Sequence, residues 1–326
     1  MQFRLTRMVV VVVGLAVATA ACGKYSLGSI RSLKAFKDGA TLYAKGDYPG
    51  AAGKFQESIT HNPDFGFSYF YLGNSYDNMY RATRAGDPEN DSLLPRAAEN
   101  YRLAIDKLEN SEEPQAAQIR KLAFEYLIAV YGPDKLDDFD SAEPVARELI
   151  AYEPNEPGNY QLLGRLYEAQ GDVEQAEAMF QEAIKVRPDA PLSYQLLAHF
   201  YNRQGEFDKT MDAFQQRAQL EPNNPEAWHT MGTFYYEKVY LDQAVERDQA
   251  IEYIEAGVAA EDKALDLNPD YYEAVTYKAM LMGLRASKET TRAAQEKYLA
   301  EAEALRERAV EIQNKQGTEV AVPAAN

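Results

Sequence analysis

The histidines and the single cysteine are the residues best suited to metal or nucleophilic chemistry, and their spacing argues against both. His61, His199 and His229 are far apart in the chain, and Cys22 has no second cysteine to pair with. Zinc sites need ligands at short spacings, such as H-E-x-x-H or paired cysteines two residues apart. Neither pattern occurs, so we expect no metal and no other cofactor.

Sequence motifs of common enzyme classes are also missing. The chain has no G-x-S-x-G elbow, no Walker loop and no G-x-G-x-x-G phosphate turn. The carboxylate pairs Glu112-Glu113 and Asp137-Asp138 lie in polar connections, where solvated surface is the usual role of such residues. The 23 tyrosines suit stacking on sugars or bases, but most recur at spacings typical of helix packing. We therefore predict that the protein is not an enzyme.

Composition narrows the class of partner. Apolar residues make up 46% of the chain, which predicts a folded body, and the net charge is -17. A surface that acidic repels phosphate backbones. Nucleic acid is therefore excluded as an expected partner.

The first 21 residues have the pattern of a secretory signal peptide. Arg4 and Arg7 precede the apolar stretch Met8 to Ala18, and small residues follow. At 1.5 Å per residue, a stretch this short does not span a bilayer about 30 Å thick. Export and cleavage are the expected fate of this segment.

Cys22 is predicted to be a lipid-attachment site. Thr-Ala-Ala-Cys at 19–22 resembles a bacterial lipobox, in which the cysteine is lipidated and becomes the mature N-terminus. The alternative is cleavage at the A-x-A pattern of 18–20, which would release a soluble protein. Gly23, in place of the aspartate that retains many lipoproteins in the inner membrane, slightly favours the outer membrane.

A period of 34 residues organises the rest of the chain. Pro154, Pro188 and Pro222 are 34 residues apart, and each ends a helical, alanine-rich run. The residues predicted to pack recur with this period in three units: Tyr160, Leu163, Gly164, Tyr167, Ala176, Phe180 and Pro188; Tyr194, Tyr201, Phe214 and Pro222; and Trp228 and Gly232. Gly73 opens the same pattern in an earlier unit. The small residues in this set should let paired helices approach closely.

These residues resemble the tetratricopeptide repeat, whose pattern is W-x2-L-G-x2-Y, then A-x3-F, then P. The resemblance implies an all-α, right-handed superhelix (α-solenoid) of about six to seven helix-turn-helix units, with proteins or peptides bound in its concave groove. Together with the leader, the chain is similar to bacterial tetratricopeptide lipoproteins such as pilotins and the adaptors of envelope hydrolases. None of these is matched closely enough to name.

The predicted organisation follows from these segments. Residues 1–21 are the signal peptide, 22–31 the lipid-attachment cysteine and a linker, 32–286 the solenoid, 287–315 a long capping helix, and 316–326 a disordered tail. Within the solenoid, 81–92 is expected to be a polar loop, and 241–267 a single long helix.

A polar stripe beside the packing residues is the predicted binding site. At about 100° per residue, it lies roughly 80–140° from the leading aromatic, on the side that lines the groove in this repeat family. Its members are Gln161, Arg165, Gln195, His199, Asn202 and His229, with Arg203 close by. Arginines and histidines on one surface suit a peptide carboxylate. The predicted function is a protein-binding scaffold or assembly factor of the cell envelope, and the alternative is a soluble periplasmic or secreted peptide-binding protein.

Overall fold

The computed structural model describes residues 27–320, all of whose regular structure is helical. Residues 1–26, which include the predicted signal peptide and Cys22, and residues 321–326 lie outside the described range. The described residues divide into two compact units, with the boundary between Ala176 and Glu177. Within 27–320, no helix combines the length and the apolar character needed to cross a membrane.

The first unit is built from eight α-helices and the start of a ninth. They are α1 (Leu27–Ala44), α2 (Tyr48–His61), α3 (Gly66–Met79), α4 (Pro88–Asp91), α5 (Leu93–Leu108), α6 (Ala116–Tyr131), α7 (Phe139–Tyr152), α8 (Pro157–Ala169) and α9 (Val173–Val186). Neighbours along the chain pack together: α1 with α2, α2 with α3, α3 with α5, α5 with α6, α6 with α7, and α7 with α8. This is the helix-turn-helix order that the repeat predicts.

The second unit continues the same order after Ala176. It contains α10 (Pro191–Arg203), α11 (Phe207–Leu220), α12 (Pro225–Leu241), α13 (Arg247–Leu267), α14 (Tyr272–Ser287) and α15 (Arg292–Val320). Each packs on the next, and α12 also contacts α14. The predicted all-α, tetratricopeptide-type fold is therefore confirmed.

Glycine and proline set the helix ends. Gly46, Gly171 and Gly205 each follow the first helix of a helix pair. Their φ angles are 79°, 79° and 76°, a left-handed conformation that favours glycine. Three first helices begin at proline, namely α8, α10 and α12. Proline suits this position because the first helical N–H has no partner within the helix.

Large side chains fill the space between the helices of each unit. In the first unit, Phe55, Phe70 and Tyr101 are fully buried. A Cβ at Gly73 would lie 3.1 Å from the carbonyl oxygen of Ala97, so α3 and α5 approach closely there. In the second unit the fully buried aromatics include Phe180, Phe200 and Phe214.

Most residues of the repeat signature pack as predicted. Those that are buried are Gly73, Leu163, Gly164, Tyr167, Ala176, Phe180, Tyr201, Phe214 and Gly232. The prediction that the leading aromatics are also core was wrong: Tyr160, Tyr194 and Trp228 are only partly buried. Each donates a hydrogen bond to the carbonyl oxygen of the proline six residues earlier, at 2.9, 3.1 and 3.4 Å respectively. These aromatics fasten the turn between repeats, and their polar ends reach water.

Three segments differ from their predicted structure. The segment 81–92 contains a 3-10 turn (Ala82–Arg84) and α4, held by buried Asn90, whose side-chain oxygen accepts from the Arg81 N–H at 2.9 Å. The predicted helix 241–267 is interrupted at 242–246, where the Asp242 carboxylate accepts from the Ala244 N–H. The last helix begins at Arg292 and continues through 316–320, which had been assigned to a disordered tail.

Candidate functional site

A cleft in the first unit lies between α6 and the start of α8, and its volume is about 330 Å³. We call it the α6–α8 cleft. Its lining is polar and carries both signs of charge, from Lys121, Glu125, Glu156, Gly158, Asn159, Gln161, Leu162 and Arg165. Gln161 and Arg165 belong to the predicted polar stripe, so the structure brings these two to one concave surface.

Helix geometry explains how four of these side chains converge. Lys121 and Glu125 are four residues apart on α6, and Gln161 and Arg165 are four apart on α8. Residues at this spacing lie on one face of a helix. Each of the two helices is followed by a second helix, α7 or α9. The cleft is therefore lined by the first helices of two successive helix pairs.

The start of α8 is fixed by polar contacts that leave its outer face available. The Glu156 carboxylate accepts from the Gly158 N–H at 3.4 Å and caps the helix. The buried Asn159 amide donates to the carbonyl oxygen of Glu153 at 3.0 Å. These bonds tie α8 to the end of α7, so Gln161 and Arg165 project from a fixed base.

The charges of the cleft influence one another. Lys121 Nζ lies 2.7 Å from a carboxylate oxygen of Glu153, and this hydrogen bond raises the pKa of Lys121. Burial raises the pKa of the half-buried Glu125 carboxyl, and the negative charges of Glu153 and Glu156 add to the rise. Arg165 is exposed. The cleft therefore pairs permanent cations with a carboxyl group that holds its proton more readily than usual.

Binding is the chemistry that this lining supports. Its side chains supply a guanidinium, an ammonium, two amides and two carboxylates, with Leu162 as the apolar contact. No serine, threonine or cysteine contributes to the cleft, so it lacks hydroxyl and thiol nucleophiles. Such a surface matches a polar peptide segment, whose carboxylates suit Arg165 and whose amides suit Gln161.

The second unit places the other predicted stripe residues in different surroundings. Asn202 and Arg203 are exposed and Gln195 is partly buried. The His199 ring packs edge-on against Phe214, at 5.5 Å between ring centres, and also contacts Phe234. Burial lowers the pKa of His199, and Arg203 and Arg217 lower it further. Burial and these two arginines therefore favour the neutral form of the His199 imidazole.

His229 is engaged within the protein rather than presented to a ligand. Its Nδ1 lies 3.0 Å from both carboxylate oxygens of Glu261, a residue of α13 with no exposed surface. Tyr271 and Tyr277 contact the imidazole edge-on, at 5.1 and 5.2 Å between ring centres. The predicted row of polar groove donors therefore does not extend to His229, because the partner of this histidine is internal.

Burial has a large effect on Glu261. It raises the pKa of this carboxyl from 4.5 to about 7, although the hydrogen bond from His229 opposes the rise. A Cβ at Gly232 would lie only 2.2 Å from Glu261 Oε1. The signature glycine of this repeat therefore makes room for a carboxylate.

Sequence reasoning missed three of these residues. Lys121 and Glu125 repeat the four-residue spacing of Gln161 and Arg165, but Ile128 stands in their helix where the repeat signature has glycine. Glu261 lies in an alanine- and glutamate-rich helix where most of its neighbours of the same type face solvent. Only the i, i+4 spacing on α6 was visible beforehand as a signal.

Among residues 27–320, no group of three or more histidine, cysteine, aspartate or glutamate side chains is arranged to hold a metal ion.

Comparison with known proteins identifies the repeat. Two family models described as tetratricopeptide repeat match residues 135–200 and 191–234. This part of the chain therefore consists of tetratricopeptide repeats, and it includes α8 and the stripe residues of both units. No curated protein matches the chain.

Solved structures with a similar fold share little sequence with this chain. A MamA protein is 17% identical and has a TM-score of 0.41, covering 66% of this chain and 98% of its own. A thermophilic tetratricopeptide protein of Thermus thermophilus is 17% identical with a TM-score of 0.34, over 69% and 98% of the two chains. PilW, described as a type IV pilus biogenesis factor, is 15% identical with a TM-score of 0.42, over 74% and 96%.

Proposed function

We propose that this protein is a non-catalytic scaffold or assembly factor of the bacterial cell envelope, which holds a segment of a partner protein in the α6–α8 cleft. One observation carries the proposal: the first helices of two successive helix pairs present Lys121, Glu125, Gln161 and Arg165 to one cleft. Tetratricopeptide repeats bind proteins through such first-helix surfaces, and the matched repeats include α8.

The partner segment is an extended or turn-forming peptide with at least one carboxylate. Arg165 offers a planar fork of donors that matches a carboxylate. The Glu125 carboxyl, whose pKa burial raises, can accept a hydrogen bond from a peptide N–H.

The envelope part of the proposal rests on the leader. Cys22 is proposed to carry the lipid that tethers the scaffold to a membrane, with the outer membrane slightly favoured. A soluble periplasmic or secreted peptide-binding protein is the alternative, and it follows if the leader is cleaved at the A-x-A pattern instead. The two versions share the cleft and differ only at the N-terminus.

Site-directed photocrosslinking tests the cleft directly. A photoreactive residue replacing Leu162, inside the cleft, should capture a partner in intact cells. The same residue replacing Leu192, which is 60% exposed in α10, serves as the matched control on an open surface. Capture at both positions alike, or at Leu192 alone, would remove the cleft from the proposal.

Charge reversal tests the mechanism. Lys121→Glu combined with Arg165→Glu should weaken partner binding at least tenfold, because a charge-assisted hydrogen bond is worth about 1.5–3 kcal/mol. Lys45→Glu with Arg84→Glu makes the same change in charge at two other exposed positions and should leave affinity within twofold. Equal loss in both pairs would mean that net charge, rather than the cleft, governs binding.

A further inference from the structure

One face of α1 combines exposed apolar side chains with several cations. At about 100° per residue, Leu27, Ile30, Arg31, Lys34 and Lys37 lie within an arc of about 120°. All five are exposed, and Leu27 and Ile30 rank among the most exposed large apolar residues of the described chain, at 64% and 55%. We call these five residues the α1 face.

The opposite side of α1 is committed to packing. Ala35 and Phe36 are buried, and Gly39 faces the ring of Phe55 on α2. Phe36 also contacts Phe55, at 5.6 Å between ring centres. The helix is therefore amphipathic and held by its inner side, so the α1 face cannot turn inward to hide its apolar residues.

The charge of the α1 face is opposite to that of the chain. Three cations stand on it, while the whole protein carries -17. One exposed acid, Asp38, lies within the same arc of α1, and Glu57 on α2 is bound by Lys54 Nζ at 2.6 Å. Counting Lys54 with the three cations of the face, basic groups outnumber acidic ones here.

The location of the α1 face links it to the proposed lipid site. Leu27 follows Cys22 by five residues, so even a fully extended chain separates them by no more than about 18 Å. The two exposed apolar residues lie at this end of α1, and the cations follow toward its middle. Lysines and arginines behind apolar side chains are the arrangement that suits a bilayer interface.

We propose that the α1 face docks on the surface of an anionic phospholipid bilayer. Leu27 and Ile30 enter the boundary between headgroups and acyl chains, and Arg31, Lys34 and Lys37 lie against the lipid phosphates. An acidic protein partner would account for the cations but not for the adjacent apolar pair so close to Cys22. The membrane location rests on the proposed function, whereas the affinity of the face for lipid does not.

Vesicle sedimentation tests the proposal without any lipid on the protein. The chain from 22 to 326 carrying Cys22→Ser is mixed at low salt with vesicles of phosphatidylcholine containing about 30% phosphatidylglycerol, or with phosphatidylcholine alone. We expect binding to the anionic vesicles only, weakening as salt screens the charges. Because each cation near an anionic surface contributes about fivefold, Arg31→Gln, Lys34→Gln and Lys37→Gln together should reduce binding about 100-fold.

A matched variant removes the same residue types elsewhere. Lys185→Gln, Arg292→Gln and Lys297→Gln also replace two lysines and one arginine, at positions 65%, 90% and 66% exposed. This variant should bind as the parent does. Leu27→Ser with Ile30→Ser should weaken binding to anionic vesicles while leaving its salt dependence in place.

Three results would overturn the proposal. The first is a parent that sediments equally with both kinds of vesicle, or with neither. The second is an α1 variant that binds anionic vesicles as tightly as the parent. The third is a matched variant that loses as much binding as the α1 variant. Because lipidation plays no part in this assay, failure here would leave the lipid anchor and the cleft unaffected. Conversely, an absence of lipid on Cys22 in cells would contradict the anchor without changing the vesicle result.

Discussion

Replacing the buried carboxylate of Glu261 by an amide should change how the stability of the second unit depends on pH. Glu261→Gln keeps the size of the side chain, and the amide can still hydrogen-bond His229 in either tautomer. What it removes is the ionisable group that α13 buries against Gly232 of α12. The variant therefore separates the effect of the charge from the effect of packing.

The size and sign of the effect follow from the pKa. In the folded protein the pKa of Glu261 is raised from 4.5 to about 7, so between these values the folded state binds more protons than the unfolded chain. Stability from this group is then greatest below pH 4.5 and is lost as pH rises through 7. At about 1.4 kcal/mol per tenfold change in proton affinity, the loss is about 3 kcal/mol. Solvent screening is small because the side chain has no exposed surface.

Thermal melts followed by circular dichroism at pH 5, 6, 7 and 8 measure this difference. At about 2–4 °C per kcal/mol, Glu261→Gln should melt roughly 5–10 °C above the parent at pH 8 and close to it at pH 5. Glu252→Gln changes an exposed carboxylate on the same helix and should follow the parent at every pH. If the melting temperatures of Glu261→Gln and the parent ran parallel across this range, the carboxylate would not be the group that titrates.

Three further changes test the repeat packing and the anchor. Gly73→Leu should lower the free energy of unfolding by about 1–3 kcal/mol, because the α5 backbone lies 3.1 Å from the position of a Cβ at Gly73. Gly53→Leu, where nothing lies within 4 Å of a Cβ, is the control in the same thermal melt. Equal losses of stability in the two variants would count against close helix approach at Gly73. Tyr194→Phe removes the bond to the Pro188 carbonyl and should cost about 0.5–1.5 kcal/mol in chemical denaturation, so an unchanged midpoint would mean that the bond adds nothing. A labelled lipid precursor should tag the wild type but not Cys22→Ser, and an unlabelled wild type would favour the soluble alternative.

The fold could be predicted from sequence because the repeat uses residue types with narrow roles. Proline 34 residues apart ended the second helices, and glycine with positive φ turned the chain at Gly171 and Gly205. Both constraints act on the backbone, so they survive changes in neighbouring side chains. The interruption at 242–246 was not predicted, because no proline or glycine occurs there. The Asp242 carboxylate accepts a hydrogen bond from the Ala244 N–H instead.

The binding site was harder to predict because helix angles give direction but not depth. Gln161, which is buried, and Arg165, which is exposed, both line the α6–α8 cleft. His229 has the same angular position as Gln161 in its unit, yet it is bonded to Glu261. The contacts of a stripe residue depend on what the following helix brings against it. For His229 that contact joins the two helices of one repeat unit, α12 and α13.

Exposure then separates the two kinds of polar site in this chain. Lys121 retains 29% of its side-chain surface and Arg165 is exposed, so a partner can reach them with the helices in place. Glu261 has no exposed surface, and a ligand could reach it only if α12 and α13 separated. An ionised group in that position lowers stability at neutral pH, whereas the cleft charges can change with little effect on folding. The α6–α8 cleft is therefore the proposed binding site, and the pair formed by His229 and Glu261 is expected to control the pH dependence of stability.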